Sequence, residues 1–314
     1  MKKSFYSHGK LLLTAEYLVL DSVEALALPT KKGQWLFIEE NDSNCIEWKS
    51  FDHEGHIWFD TKINLPLEIT AETENTEQPV LSDEEGLGIT ETLLEILTEA
   101  KKLNPNFLSS EKGYAIETRL EFDREWGLGS SSTLINNIAQ WAKVDAFLLL
   151  EKSFGGSGYD IAAAQHELPI LYKRTEGKPI LKEINFDPSF KEYLFFVYLN
   201  QKQDSKASIK HYQSLPLKDF DTAAKSVSEI TYKLIDCSSI EEFEELLNTH
   251  EEIISKIIKT ETVKSRLFSD YPRSIKSLGG WGGDFVLATG KKADMDYFRK
   301  KGYTTIIPYY EMVL

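Results

Sequence analysis

Gly127-Leu128-Gly129-Ser130-Ser131-Ser132-Thr133 is the stretch of this sequence best suited to chemistry. Two glycines one residue apart let a backbone approach a ligand with no Cβ in the way. Behind them Leu134, Ile135, Ile138, Ala139, Trp141 and Ala142 recur with helical period. Ser and Thr are good caps at a helix entrance. The free N–H groups there, at the positive end of the helix dipole, favour an anion. The stretch therefore predicts a phosphate cradle, with ordinary helix capping as the plain alternative. It is not a P-loop, because no Gly-x-x-x-x-Gly-Lys-Ser/Thr run exists. Nor is it a dinucleotide fingerprint. Ser132 stands where a third Gly or Ala is needed, and Glu121 to Trp126 is too charged for a buried parallel strand.

Three other places carry reactive residue types. Lys10 follows Gly9, and Glu16 sits between Ala15 and Tyr17 in otherwise apolar surroundings. A carboxylate so placed needs a partner or a ligand, unless it lies on an exposed edge. Asp160 comes two residues after Gly158 in a second Gly/Ser-rich loop, at the entrance of an Ala-rich helix, where a capping role is the simpler reading. Lys276 to Asp284 holds Gly279, Gly280, Gly282 and Gly283, which imply crowded backbone or positive φ, with the bulky Trp281 among them. His53 and His56 have a His-x-x-His spacing, but Gly55 between them and the absence of a nearby Cys predict an exposed hairpin turn rather than a metal site.

The elements that must position these residues follow from periodicity. Strands are expected at Leu11–Leu13, Ala25–Pro29, Trp35–Glu39, Cys45–Trp48, His56–Asp60 and Gly113–Phe122, the last delivering the chain to Gly127. Further strands are expected at Pro169–Tyr172, Tyr193–Leu199, Phe285–Thr289 and Thr304–Pro308. Helices are expected at Ile89–Leu103, after Leu134, at 219–235 and 239–259, and at Met295–Lys301. Residues 70–86 read as an acidic loop, and Gly177–Pro188 as a connection between domains. The helix at 239–259 is Glu-rich at its start and Lys-rich at its end, and its charge reads as a solvated face.

The bulk numbers exclude several classes. A length of 314 residues suggests two domains. A net charge of −14 argues against a nucleic-acid or anionic-membrane surface and requires a locally basic pocket for any anionic substrate. The two cysteines, Cys45 and Cys237, fit a reducing compartment, so a cytoplasmic location is expected. No signal-peptide core follows Met1, and no apolar run approaches the roughly 20 residues of a membrane span.

Taken together, the motifs resemble the GHMP kinase superfamily, most nearly its phosphomevalonate and mevalonate kinases. His8-Gly9-Lys10-Leu11-Leu12-Leu13-Thr14-Ala15-Glu16-Tyr17 is similar to the family's Gly-Lys-Leu…Gly-Glu-Tyr motif, with Ala15 in place of Gly. Trp126-Gly127-Leu128-Gly129-Ser130-Ser131 resembles its Tyr-Gly-Leu-Gly-Ser-Ser phosphate loop. Gly156-Ser157-Gly158-Tyr159-Asp160-Ile161-Ala162 resembles its Gly-Ser-Gly-x-Asp-Val-Ala segment, and Lys276 to Asp284 its Lys-Ser-Ser-Gly-Ala-Gly-Gly-Gly-Asp motif, with Trp281 replacing a small residue. The segment from Ser131 to Asp160 has room for one helix where many relatives place two, and Glu151 does not match the family's magnesium-binding Glu cleanly.

The resemblance implies an α+β fold of two domains: residues 1–185, an ATP-binding domain like ribosomal protein S5 domain 2, and residues 186–314, a ferredoxin-like domain. It implies ATP and Mg2+ as cofactors and phosphoryl transfer to a small anionic metabolite of isoprenoid-precursor synthesis, with phosphomevalonate foremost. Gly127, Leu128, Gly129, Ser130, Ser131 and Ser132 would hold the nucleotide, with Ser131 on the metal. Asp160 would be the base and Lys10 the charge-neutralising group. Glu16, Ser157, Gly158, Lys202, Ser205, Gly279, Gly280, Gly282 and Gly283 would serve the acceptor, with Arg174 a further anion contact. The partner expected is a small molecule, with no nucleic acid or membrane, the chain being a monomer or homodimer. Mevalonate kinase is the alternative, and a ligand-binding regulator and a related decarboxylase are the other classes the fold allows.

Overall fold

The computed structural model describes residues 2–67, 84–110, 112–203, 205–216 and 220–314. The chain forms two compact units that interleave in sequence. The first comprises residues 1–9, 32–124 and 129–165, the second residues 10–31, 125–128 and 166–314. The acidic stretch 70–86 lies largely outside the described residues.

The chain opens with β1 (Lys2–Leu12), longer than the apolar Leu11–Leu13 suggested. In the first unit, β2 (Ala25–Asn41), β3 (Cys45–Phe51), β4 (Ile57–Asn64) and β5 (Gly113–Leu120) supply a sheet. The later half of β2 pairs antiparallel with β5, β5 pairs parallel with β3, and β3 pairs antiparallel with β4. Sequence read β2 as two strands, because Thr30, Lys31 and Lys32 interrupt its apolar pattern; hydrogen bonding carries the strand through them. Alternation holds on the buried face, with Ile46 and Trp48 of β3 and Ile116, Thr118 and Leu120 of β5 turned inward. That face packs on Leu93, Ile96 and Leu97 of α1 (Glu84–Leu103), Ile135 and Ile138 of α2 (Ser130–Ala142) and Leu149 of α3 (Ala146–Ser153). A short α4 (Tyr159–Ala164) completes the unit and packs on α2.

The expected single helix between Ser131 and Asp160 is corrected here, since α2 and α3 both fit. Lys143 in the left-handed conformation ends α2, and the Asp145 carboxylate caps α3 by accepting the Phe147 and Leu148 amides. This economical link makes room for the second helix.

In the second unit, the first residues of β2 pair with β6 (Ile170–Thr175), which forms a hairpin with β7 (Lys178–Glu183). The expected domain connection at 177–188 therefore contains a strand; its polar composition reflects an exposed strand rather than a linker. The rest is built on β8 (Leu194–Tyr198), β9 (Ile275–Ser277), β10 (Phe285–Thr289) and β11 (Ile306–Pro308) in the antiparallel order β11-β8-β10-β9. Helices α5 (Ser205–Gln213), α6 (Phe220–Asp236), α7 (Ile240–Ile258) and α8 (Val263–Leu267) join β8 to β9. Helix α9 (Asp296–Lys300) joins β10 to β11, and α10 (Tyr309–Met312) follows. This is the ferredoxin-like βαββαβ order. Ser239 caps α7 by accepting the Glu242 amide. Its core includes Val197, Val286, Phe268 and Phe298.

Candidate active site

In the first unit, Gly129 is the cap residue of α2, in the left-handed conformation at φ 90°. The amides of Ser130, Ser131 and Ser132 then begin a 13-residue helix and have no intrahelical acceptor. Thr133 is the first residue whose N–H is taken, by the Gly129 carbonyl at 3.0 Å. The hydroxyls differ in use. Ser132 is buried and donates to the Gly129 carbonyl at 2.9 Å, so its side chain closes the turn and only its amide is left for an anion. Ser131 is exposed on the first turn, where a hydroxyl can meet a metal or phosphate oxygen. Thr133, outside the sequence-level set, donates to Gln34 Oε1 at 2.6 Å and anchors the helix start to β2.

Asp160 belongs to the same unit. Gly158, at φ 86°, caps α4, so Asp160 is not the cap that the plainer reading gave it; it sits half-buried in the first turn. Its Oδ1 accepts the Ile161 amide at 3.1 Å. Ser157 beside it is buried. The placement of α4 on α2 is fixed by a polar chain. Gln165 donates to Asn136 Oδ1 at 2.8 Å, and Asn136 donates to Ser7 Oγ at 2.8 Å. Ser7 in turn donates to Asn137 Oδ1 at 2.7 Å.

The second unit holds Lys10, Gly127, Leu128, Glu16, Lys202 and the third glycine-rich turn. The Lys10 ammonium donates to the Gly127 carbonyl at 2.8 Å, and its amide donates to the Leu128 carbonyl at 3.0 Å. Gly127 is at φ 65°, and a Cβ there would fall 2.3 Å from Asp284 Cγ. Glycine is thus required twice over, by conformation and by the carboxylate lying against it. Asp284, itself at φ 54° and buried, accepts the Gln203 amide at 3.1 Å. Burial raises its pKa, opposed by the nearby charges of Lys10 and Lys202. Sequence alone assigns Asp284 no role; the signal that marks it is its place directly after Gly282-Gly283.

Gly280 and Gly283 are packed against Gln203 and the Gln201 carbonyl, where a Cβ would lie 2.4 and 2.6 Å from its neighbours. Gly279 and Gly282 have positive φ. Trp281 is buried, at φ 51°, with the Lys276 ammonium 6.0 Å from its ring centroid, so its bulk enters the interior instead of blocking the turn. Lys202 is exposed and pairs with Glu125 at 3.5 Å. Ser205 is the first residue of α5, its side chain outside the described residues. Arg174 donates to the Gly177 carbonyl at 2.9 Å in the β6–β7 turn.

Glu16 is almost wholly enclosed and ion-paired with Lys276. Lys276 also pairs with Glu251 at 3.0 Å, and Glu251 accepts the Ser277 hydroxyl at 2.7 Å. His250 Nε2 accepts the Ala15 amide at 3.0 Å and lies 3.6 Å from Glu16. Accepting through Nε2 leaves the ring proton on Nδ1. Burial raises Glu16 to about 7 against the pull of Lys276. Burial, then the Lys276 charge, hold His250 well below its ordinary value, so it is neutral. Ala15 and Tyr17 are held at positive φ, 62° and 66°, on either side of Glu16. This explains why the resembling motif has Gly at the Ala15 position. The reading of the α7 charge as a solvated face holds for Glu241, Glu242, Glu245, Glu252 and Lys256, which are exposed, and is corrected for Glu251, which with His250 is a buried part of this cluster. His53 and His56 are exposed at the β3–β4 turn, as the hairpin reading expects, and His56 lies there beside the half-buried Asp52 and the exposed Glu54.

No protein-family model matches the sequence, and no curated protein matches it. Solved structures do. The L. major mevalonate kinase in complex with R-mevalonate is 16% identical, covering 99% of this chain and 95% of that one, with a TM-score of 0.68. The Streptococcus pneumoniae phosphomevalonate kinase in complex with phosphomevalonate and AMPPNP is 14% identical, covering 95% of each, with a TM-score of 0.65. The Lactococcus lactis galactokinase complexed with galactose is 12% identical, covering 95% of this chain and 88% of that one, with a TM-score of 0.65. Likeness over nearly the whole chain shows that this protein has the α+β fold of the GHMP kinases.

Proposed function

We propose that the chain is an ATP-dependent small-molecule kinase acting on an anionic acceptor, with phosphomevalonate foremost and mevalonate the alternative, both named among the similar structures. The observation that carries this reading is the start of α2. A left-handed Gly129 precedes a long helix whose first three amides have no acceptor within it. That set of donors fits a polyphosphate, and the exposed Ser131 hydroxyl fits one ligand position of Mg2+.

Bound ATP with its magnesium would supply the transferable phosphoryl group, and catalysis of such a transfer is mainly positioning and charge stabilisation. The chain's residues then take separate tasks. The amides of Ser130 to Ser132 orient phosphate oxygens at the dipole's positive end. Asp160 accepts the acceptor hydroxyl's proton on its carboxylate. Lys10 offsets negative charge on the moving group. The cluster of Glu16, Lys276, Glu251 and His250 holds the first motif in its positive-φ turn, and its burial favours that role for Glu16 over contact with substrate. Ser157, Gly158, Lys202, Ser205 and the third glycine-rich turn serve the acceptor. The division into 1–185 and 186–314, magnesium at Ser131 and a cytoplasmic location belong to the same proposal. Among the described residues no helix is long and apolar enough to cross a membrane.

The test is ADP release from ATP over a panel of mevalonate, phosphomevalonate, homoserine and simple sugars, with carbon dioxide measured alongside. ADP without carbon dioxide for an anionic acceptor is expected. Both products together would mean a decarboxylase. ADP from none of them would overturn the reading in favour of a binding protein.

A further inference from the structure

The chain contains six arginines. Arg119 pairs with Glu117, Arg124 lies over Trp58, Arg174 donates to Gly177, Arg273 pairs with Glu244 and Arg299 with Asp296. Arg266, on α8, is exposed, and among the described residues its guanidinium has no hydrogen bond, ion pair or ring contact. Its place is not random. Nη2 lies 3.3 Å from where a Cβ on Gly282 would stand, with Gln203 Oε1 3.5 Å from the same point. Gly282, at φ 134°, presents no side chain there, and the guanidinium lies close against its backbone.

Other donors gather on the same turn. Burial raises the Asp284 pKa, and Lys10 and Lys202 are near enough to it for their charges to oppose that rise. The Trp281 side chain enters the interior beneath this turn, where its indole N–H is buried with no acceptor among the described residues. A buried donor without a partner is costly unless something completes it. A guanidinium presents a planar fork that matches carboxylate and phosphate oxygens two at a time.

We propose that Arg266 is a specificity-determining residue: its fork, set against Gly282, binds an oxyanion group of the acceptor at the third glycine-rich turn. The inference rests on the kinase reading for the identity of the acceptor, but not for the binding of the anion. Neutral acceptors would leave Arg266 unmatched, and the chain would discriminate against them.

The test is calorimetric titration of the full chain with inorganic phosphate and, separately, with acetate, at low salt. AMPPNP and Mg2+ are present so that the start of α2 is not the anion's target. The wild type should bind at least one anion, and the tighter of the two identifies the group recognised. Arg266→Gln should weaken it about tenfold, as loss of a charge-assisted pair predicts. Arg266→Lys should recover part of the loss, because an ammonium keeps the charge without the fork. Unchanged melting temperatures would show both variants folded. Equal affinity in wild type and Arg266→Gln, or no binding of either anion by the wild type, would overturn the proposal. Arg266-dependent anion binding by a chain that does not bind AMPPNP would keep this inference and sink the kinase reading.

Discussion

Two side chains, the Asp160 carboxylate and the Lys10 ammonium, carry the chemical step in this account. Asp160→Asn and Lys10→Met should each lower turnover about 10²- to 10⁴-fold with the fold intact, read by ADP release and circular dichroism. Wild-type turnover in either variant removes that role. Glu16 and His250 make a different prediction, about pH. His250 is held well below its usual value near 6.5, so the unfolded imidazole takes a proton that the folded one refuses. Its contribution to stability is full above pH 6.5 and is lost as the pH falls below that. Glu16 runs the other way. Its pKa is raised from 4.5 to about 7, so its contribution is full below 4.5 and is lost as the pH rises towards 7. Between those values the two slopes oppose. His250→Gln removes one of them. Relative to wild type, its unfolding free energy should improve by up to about 1.4 kcal/mol per pH unit as the pH falls below 6.5. A constant difference across that range would contradict the neutral, buried histidine. At this scale sequence showed only half of the cluster. Glu16 drew notice as a carboxylate among apolar residues, whereas His250 and Glu251 lie more than 230 positions away on a helix whose charges looked ordinary.

Elements carry the next set of constraints, because two glycine-rich turns owe their shape to what packs on them. Gly127→Ala places a methyl against the Asp284 carboxylate at positive φ. We expect a loss of about 1–3 kcal/mol in urea unfolding. Asp284→Ala in the same chain should recover part of it, a coupling that a double-mutant cycle reads directly. Additive losses would mean that the two residues do not meet. Lys276→Met leaves Glu16 and Glu251 enclosed without their cation, and about 3–5 kcal/mol should be lost. A loss below about 1 kcal/mol would show that the cluster does not hold the strand β9 to the first motif. The long helices α1, α2, α6 and α7 were legible from their apolar period. Less legible were β7 and α5, which have few apolar residues, and the join within β2, where three polar residues hid a continuous ladder. The tight link between α2 and α3 was missed because its length alone looked too short for two helices.

At the scale of the whole molecule, the order of glycine-rich motifs pointed to the fold that the solved structures share, at identities of 12–17%. That was possible because left-handed and crowded backbone positions demand glycine wherever they occur, whatever the rest of the sequence does. The acceptor was not legible, since Arg266, the group proposed to select it, lies on a short helix with no motif around it. The most direct measurement is a calorimetric titration with AMPPNP and Mg2+ of the wild type and of Gly129→Val. The wild type should bind saturably and a folded Gly129→Val chain should not, because a valine resists the left-handed cap at the start of α2. Equal affinity in the two proteins, or no binding by the wild type, would contradict it.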